Sequence, residues 1–134
     1  MRAALCKHFL FILTAMLLFA SPCWSKSKGY FFIVGYSFIE KAAYFSPIIV
    51  QNVGSKSYSA EEYVTEVELI QKLESQFYNH LSRSVNLDAG RFTISTRGAY
   101  KSDAIAYDKL NGEIETYEAK GFAINKVKDF AFSD

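Results

Sequence analysis

The sequence predicts an α+β domain in the order ββαβαβ, with a four-stranded, mostly antiparallel sheet and two helices packed on one face. Three observations carry this. Residues 30–37 (YFFIVGYS) and 42–52 (AAYFSPIIVQN) are dense in aromatic and β-branched side chains, which favour strands. Two later segments, opening at Ser59 and at Ser102, repeat apolar residues at the helical period. Each is followed by a short run of strand character, 91–96 and 122–132. A chain of 134 residues sets an expectation of one domain. With 22% charged and 50% hydrophobic residues, it is neither disordered nor collagen-like. A formal net charge of +1 gives no electrostatic footprint for nucleic acid.

Residues 1–25 have the layout of a secretory signal peptide. Arg2 and Lys7 form a short basic segment, residues 9–20 (FLFILTAMLLFA) an apolar run, and residues 21–25 a small and polar end. The run is shorter than the roughly 20 apolar residues of a membrane span. Cleavage after Ala20 or after Ser25 is compatible with this layout, and Ser25 is preferred. Cys23 invites a lipoprotein reading, but Ala20 and Pro22 are a poor fit to such a site. Removal of residues 1–25 takes both cysteines, Cys6 and Cys23. The remaining domain, 26–134, is then a near-neutral periplasmic or secreted unit that folds without disulfides. It is long enough to hold one core without a metal staple.

The elements follow in order. The run 30–37 is apolar on both faces and belongs in the middle of the sheet. Residues 39–41 form a turn. The second strand, 42–52, contains Pro47, which cannot donate to a ladder, so it is an edge strand or carries a bulge. A free edge there would permit strand addition, and Pro47 argues against it. Ser59 and Glu62 have capping-box spacing, which opens a helix running to about Ser84. Tyr63, Val67, Ile70, Phe77 and Leu81 form its stripe with a gap at Glu74, and Leu69 and Leu73 widen it. A third strand, 91–96, leads into a tight turn at 97–101 (RGAYK). Ser102 or Asp103 caps the second helix, whose stripe is Tyr107, Leu110, Ile114 and Tyr117 and whose end is Gly121. The last strand, 122–132, places Phe122, Ile124, Phe130 and Phe132 on one face.

Residues suited to catalysis are few. After signal removal the only histidine is His80, near a helix C-terminus. One histidine without cysteine leaves too few ligands for zinc, and neither a metal nor a cofactor is expected. Glu62 and Glu66 lie one helical turn apart on a solvated face, and Glu113 and Glu115 fall mid-helix and point apart. No catalytic residue is assigned, and the chain reads as a non-enzyme. The candidate binding residues are Tyr36 and Tyr44 on the hairpin and Arg97, Tyr100 and Lys101 in the turn before the second helix. That turn could present free amides and two cations to an anion. Tyrosine offers rigid apolar area with a polar tip, so an uncovered sheet face would expose a partner patch.

Residues 92–124 resemble half of a sporulation-related repeat (SPOR) domain, through FTISTRGAYKSDAIA and then EAKGFAI. The resemblance implies binding to peptidoglycan glycan by an exported bacterial domain. Taken together, the sequence suggests a small periplasmic binding domain for a protein of the cell envelope, as inhibitor, immunity or adaptor protein. Cell-wall glycan is the alternative ligand.

Overall fold

Strand β1 spans Lys26–Ser37, and its residues Phe31, Phe32, Ile33 and Val34 are all fully buried. Successive strand residues point to opposite faces, so four buried apolar residues in a row need cover on both sides of the sheet. The computed structural model describes residues 25–134 and supplies that cover. Residues 1–24, which hold Cys6, Cys23 and all but the last residue of the segment expected to be a signal peptide, lie outside the described residues.

β2 (Ala42–Phe45) and β3 (Ile49–Gly54) are one predicted strand divided by a bulge. β2 pairs antiparallel with the C-terminal half of β1, Val34 opposite Phe45. β3 pairs antiparallel with the N-terminal half, Phe31 opposite Ile49. Between these pairs, Phe32 and Ile33 face Ser46, Pro47 and Ile48, so one residue is extra. Ser46 repairs the ladder that Pro47 interrupts. Its hydroxyl accepts from the Ile33 N–H at 2.8 Å and donates to the Pro47 carbonyl at 2.9 Å. Its own amide donates to the Ile33 carbonyl at 2.9 Å.

The other edge of β1 is taken by β4 (Thr93–Tyr100), also antiparallel. The expected turn at 97–101 is therefore strand up to Tyr100, with a register shift near Gly98. Gly98 has φ +118°, and a Cβ there would lie 2.6 Å from the Tyr30 carbonyl oxygen. Only glycine accommodates both that angle and that approach. β5 (Ala123–Lys126) runs parallel to β2. The sheet thus has five strands and is mixed, where four mostly antiparallel ones were expected.

Helix α1 (Val67–Arg83) buries Leu73, Phe77 and Leu81 in a core with Phe31 and Ile33. Helix α2 (Asp103–Ala119) buries Ala106, Leu110, Ile114 and Tyr117 in a second core with Phe32 and Val34. The helices lie on opposite faces, which corrects the expectation of one face. Topology explains the difference. β3, β4 and β5 all run antiparallel to β1 or parallel to its antiparallel neighbour, so they are mutually parallel. The chain crosses β1 in one direction through α1 and returns across it through α2. Crossovers of one hand in opposite directions must use opposite faces, and right-handed crossovers dominate strongly.

Three local expectations also change. Ser59 does cap a turn, its hydroxyl accepting from the amides of Glu61 and Glu62 at 3.2 and 3.1 Å. The chain then leaves helical geometry to pair Ser57 with Tyr63 and Glu62 with Tyr100, so α1 starts only at Val67. In α2, Ala106 takes the buried position expected for Tyr107, which is exposed. The last strand ends at Lys126 and the chain changes face: Phe122 and Ile124 pack on the α2 side, Phe130 and Phe132 on the α1 side. The end of α2 is as expected. The Gly121 amide donates to the Glu118 carbonyl at 2.9 Å and the Phe122 amide to the Tyr117 carbonyl at 3.0 Å, a Schellman motif with Phe122 packed on Tyr117.

Ser46→Ala strands the buried Ile33 amide and is expected to cost about 1–3 kcal/mol in urea unfolding, with an unchanged slope. Gly98→Ala is expected to cost more, because it combines a strained φ with a backbone clash.

Candidate functional site

The five residues singled out from the sequence do not converge on one site. Tyr36 lies near the C-terminal end of β1 on the α2 side, its ring 5.7 Å from Tyr117. Tyr44 lies on the α1 side, edge-on to Phe92 at 5.5 Å. Arg97 bridges β4 to α2, with its Nε 2.8 Å from Glu113 Oε1. Tyr100 is buried and stacks with Phe32 at 6.1 Å. Lys101 donates to the Ser57 hydroxyl at 2.7 Å and sits 5.2 Å from the Tyr63 ring.

The anion site considered at the start of α2 is already occupied from within the chain. The Ser102 hydroxyl accepts from the Ile105 amide at 3.2 Å, and the Asp103 carboxylate accepts from the Ala104 amide at 2.7 Å. Asp103 also brings negative charge to that end, and Arg97 is committed to Glu113. Among the described residues, no group of three or more His, Cys, Asp and Glu side chains is arranged for a metal.

A different feature stands out. The turn 38–41 joins β1 to β2, and its first two side chains are apolar and exposed: Phe38 at 59% and Ile39 at 88%. Turns ordinarily carry Gly, Asn, Asp, Pro or Ser for conformational reasons. This one is held by its surroundings instead. The Ser37 hydroxyl, at the buried end of β1, accepts from the Glu40 amide at 3.1 Å. Arg91 pairs with the Glu40 carboxylate at 2.7 Å, and Lys41 takes the left-handed conformation at φ +51°. The Phe38 ring meets Tyr36 edge-on at 5.8 Å and Phe122 at 5.3 Å. Both of those rings rest on Tyr117. Lys41 lies over Phe122 and Lys120 over Tyr117, at 5.4 and 5.9 Å. The result is an apolar tip on a base of mutually packed aromatic rings with a charged rim.

Tyr36 is therefore the one predicted binding residue beside this tip. Phe38 and Ile39 are not among the residues the sequence singles out, where 39–41 reads only as a connection. The signal was present as two large apolar residues in a turn between strands.

No family model, curated protein or solved structure matches this chain.

Tyrosine ionisation registers the packing around α2. Burial pushes the Tyr100 hydroxyl from 10.0 up to about 12, and the Glu62 and Glu113 charges add to the rise. Tyr117 is raised by burial first, then by Glu113 and Tyr36. A raised folded-state value means stability that is complete below the unfolded value and lost as pH rises towards the folded one. Urea midpoints are expected to fall between about pH 10 and 12, and Tyr100→Phe is expected to make that fall shallower.

Proposed function

We propose that this chain is a small exported, non-catalytic domain that binds a protein of the cell envelope through the Phe38–Ile39 turn, as an inhibitor, immunity or adaptor protein. The observation that carries the reading is Ile39, the most exposed large apolar side chain among the described residues, standing on an ordered turn. An isolated apolar residue on a surface is ordinary, but here it joins Phe38 and the aromatic base to form a continuous projection. Binding energy at protein interfaces concentrates in a few such anchors surrounded by a polar rim. The anchoring of the turn by Ser37, Glu40 and Arg91 lowers the ordering cost of association. A projection of this shape suits the cleft of a partner. Export rests on the signal-peptide layout of residues 1–25.

Glycan binding has less support. Helices cover both sheet faces, so Tyr30, Tyr36 and Tyr44 are only partly exposed. The exposed tyrosines, Tyr58, Tyr78 and Tyr107, lie on three separate segments rather than on one platform. The stretch that resembles a SPOR half is β4–α2–β5, and its two strands are separated by β1 and β2.

The full chain, tagged at its C-terminus and used as bait against envelope extract with the wall intact or digested, is expected to retain a stoichiometric protein in both cases. Ile39→Ser is expected to weaken that complex by about 30-fold or more, the loss of an anchor worth about 2 kcal/mol, with no change in thermal midpoint. Retention on intact wall alone would overturn the protein-partner reading in favour of glycan.

A further inference from the structure

We propose that the outer edge of β3 pairs with the β3 of a second copy of this chain, antiparallel about a two-fold axis at Gln51. The inference is independent of the apical turn. It comes from how differently the outer strands of the sheet are treated. An unpaired edge is a template for another strand, and native proteins block it with charge, proline or a cover.

The outer edge of β4 is blocked from Thr96 to the start of α2. The Glu74 carboxylate accepts from the Thr96 amide at 3.1 Å, and the Thr65 hydroxyl accepts from the Ala99 amide at 3.1 Å. The Tyr63 amide donates to the Ala99 carbonyl at 2.8 Å and the Lys101 amide to the Glu61 carbonyl at 2.9 Å. β5 is only four residues long and ends in a lysine, Lys126. β3 has none of these guards. It is six residues long, reads IVQNVG, and carries neither charge nor proline. Among the described residues, β1 is its one strand neighbour, and no hydrogen bond from outside the sheet reaches its backbone. The sequence suggested that Pro47 would obstruct strand addition. The structure places Pro47 in the bulge before β3, outside the edge that would pair.

The edge is also complementary to itself. A two-fold axis normal to the sheet keeps each face on its own side, so residues that meet must share a face. With Gln51 on the axis, Ile49 lies opposite Val53 of the second copy on the α1 side, where both are buried in the core. Val50, 46% exposed on the other side, lies opposite Asn52 of the second copy. Cross-strand pairs of this kind stabilise a sheet, and like charges would oppose it. Here none meet. Moving the axis to Val50 would bring Pro47 into the ladder, so Gln51 is the favoured centre.

Sedimentation equilibrium on protein expressed from the full chain is expected to show a dimer in the micromolar range. Gln51→Lys opposes two lysines on the axis, and Gln51→Glu two carboxylates. Each variant alone is expected to associate at least tenfold more weakly, with an unchanged far-ultraviolet circular dichroism spectrum. An equimolar mixture of the two is expected to restore the dimer, which a merely structural role for Gln51 would not produce. If the charged variants fail to fold, wild-type amide exchange decides instead: protection of Val50 and Asn52, whose amides face away from β1, must rise with protein concentration. A wild-type monomer at all concentrations overturns the proposal. So does unaltered dimerisation of both variants. Protection of the β3 amides only on addition of a different envelope protein also overturns it, because it assigns the edge to another chain.

Discussion

The structure depends on one strand being buried on both faces. Phe31 and Ile33 point to one side of β1, Phe32 and Val34 to the other, and none is solvent-exposed. Each such side chain contributes about 1.5–3 kcal/mol when removed from water. That gain is available only if an apolar helix lies on each face. The two stripes, Leu73–Phe77–Leu81 and Ala106–Leu110–Ile114–Tyr117, meet this requirement. Neither helix packs against the other; each is tied to the fold through β1 and its neighbours. The described residues therefore form two small cores divided by one sheet, and β1 gives two fully buried side chains to each.

The neighbours of β1 yield to it. β1 runs without interruption over twelve residues, while both flanking strands break register against its middle. On one side the extra residue falls at Ser46–Pro47–Ile48, and on the other the shift occurs at Gly98. Bulges bend a strand and increase its local twist. Both irregularities lie beside 30–33, where cover must be supplied to opposite faces at once. Each has its own chemical accommodation. Ser46 returns a hydrogen bond that Pro47 cannot make, and Gly98 lets the backbone of β4 approach Tyr30.

What could be read from the sequence follows from the range of the interactions that decide it. Helix α2 was legible at both ends, because Ser102 and Gly121 act within a few residues of themselves. The double burial of residues 30–37 and the interruption at Pro47 were legible for the same reason: each is a property of one strand. The start of α1 departs from its local signal, although that signal is real. Ser59 forms its turn, but the pairing of Glu62 with Tyr100, 38 positions along the chain, outweighs helix propagation. The faces of the helices were not legible, since they depend on the order of strands across the sheet. Glu74 shows the same limit in one residue. Its carboxylate interrupted an apolar stripe for no reason visible in the sequence, and the structure uses it to occupy the Thr96 amide.

Covering both faces of a small sheet restricts where recognition can occur. The broad aromatic face that nine tyrosines suggested is unavailable, because α1 and α2 lie over it. What the sheet itself leaves accessible is its perimeter: turns at the strand ends, and strand edges. At the perimeter, a polar group stays hydrated at little cost, whereas an exposed apolar one has no stabilising role unless something covers it. Phe38 and Ile39 occupy a turn where glycine or asparagine would be cheaper, and the uncharged β3 occupies an edge where lysine would be safer. Both depart from what stability or solubility of the lone chain requires. The departures sit at different parts of the perimeter, so a partner on the apical turn and a second copy on β3 have no residue in common.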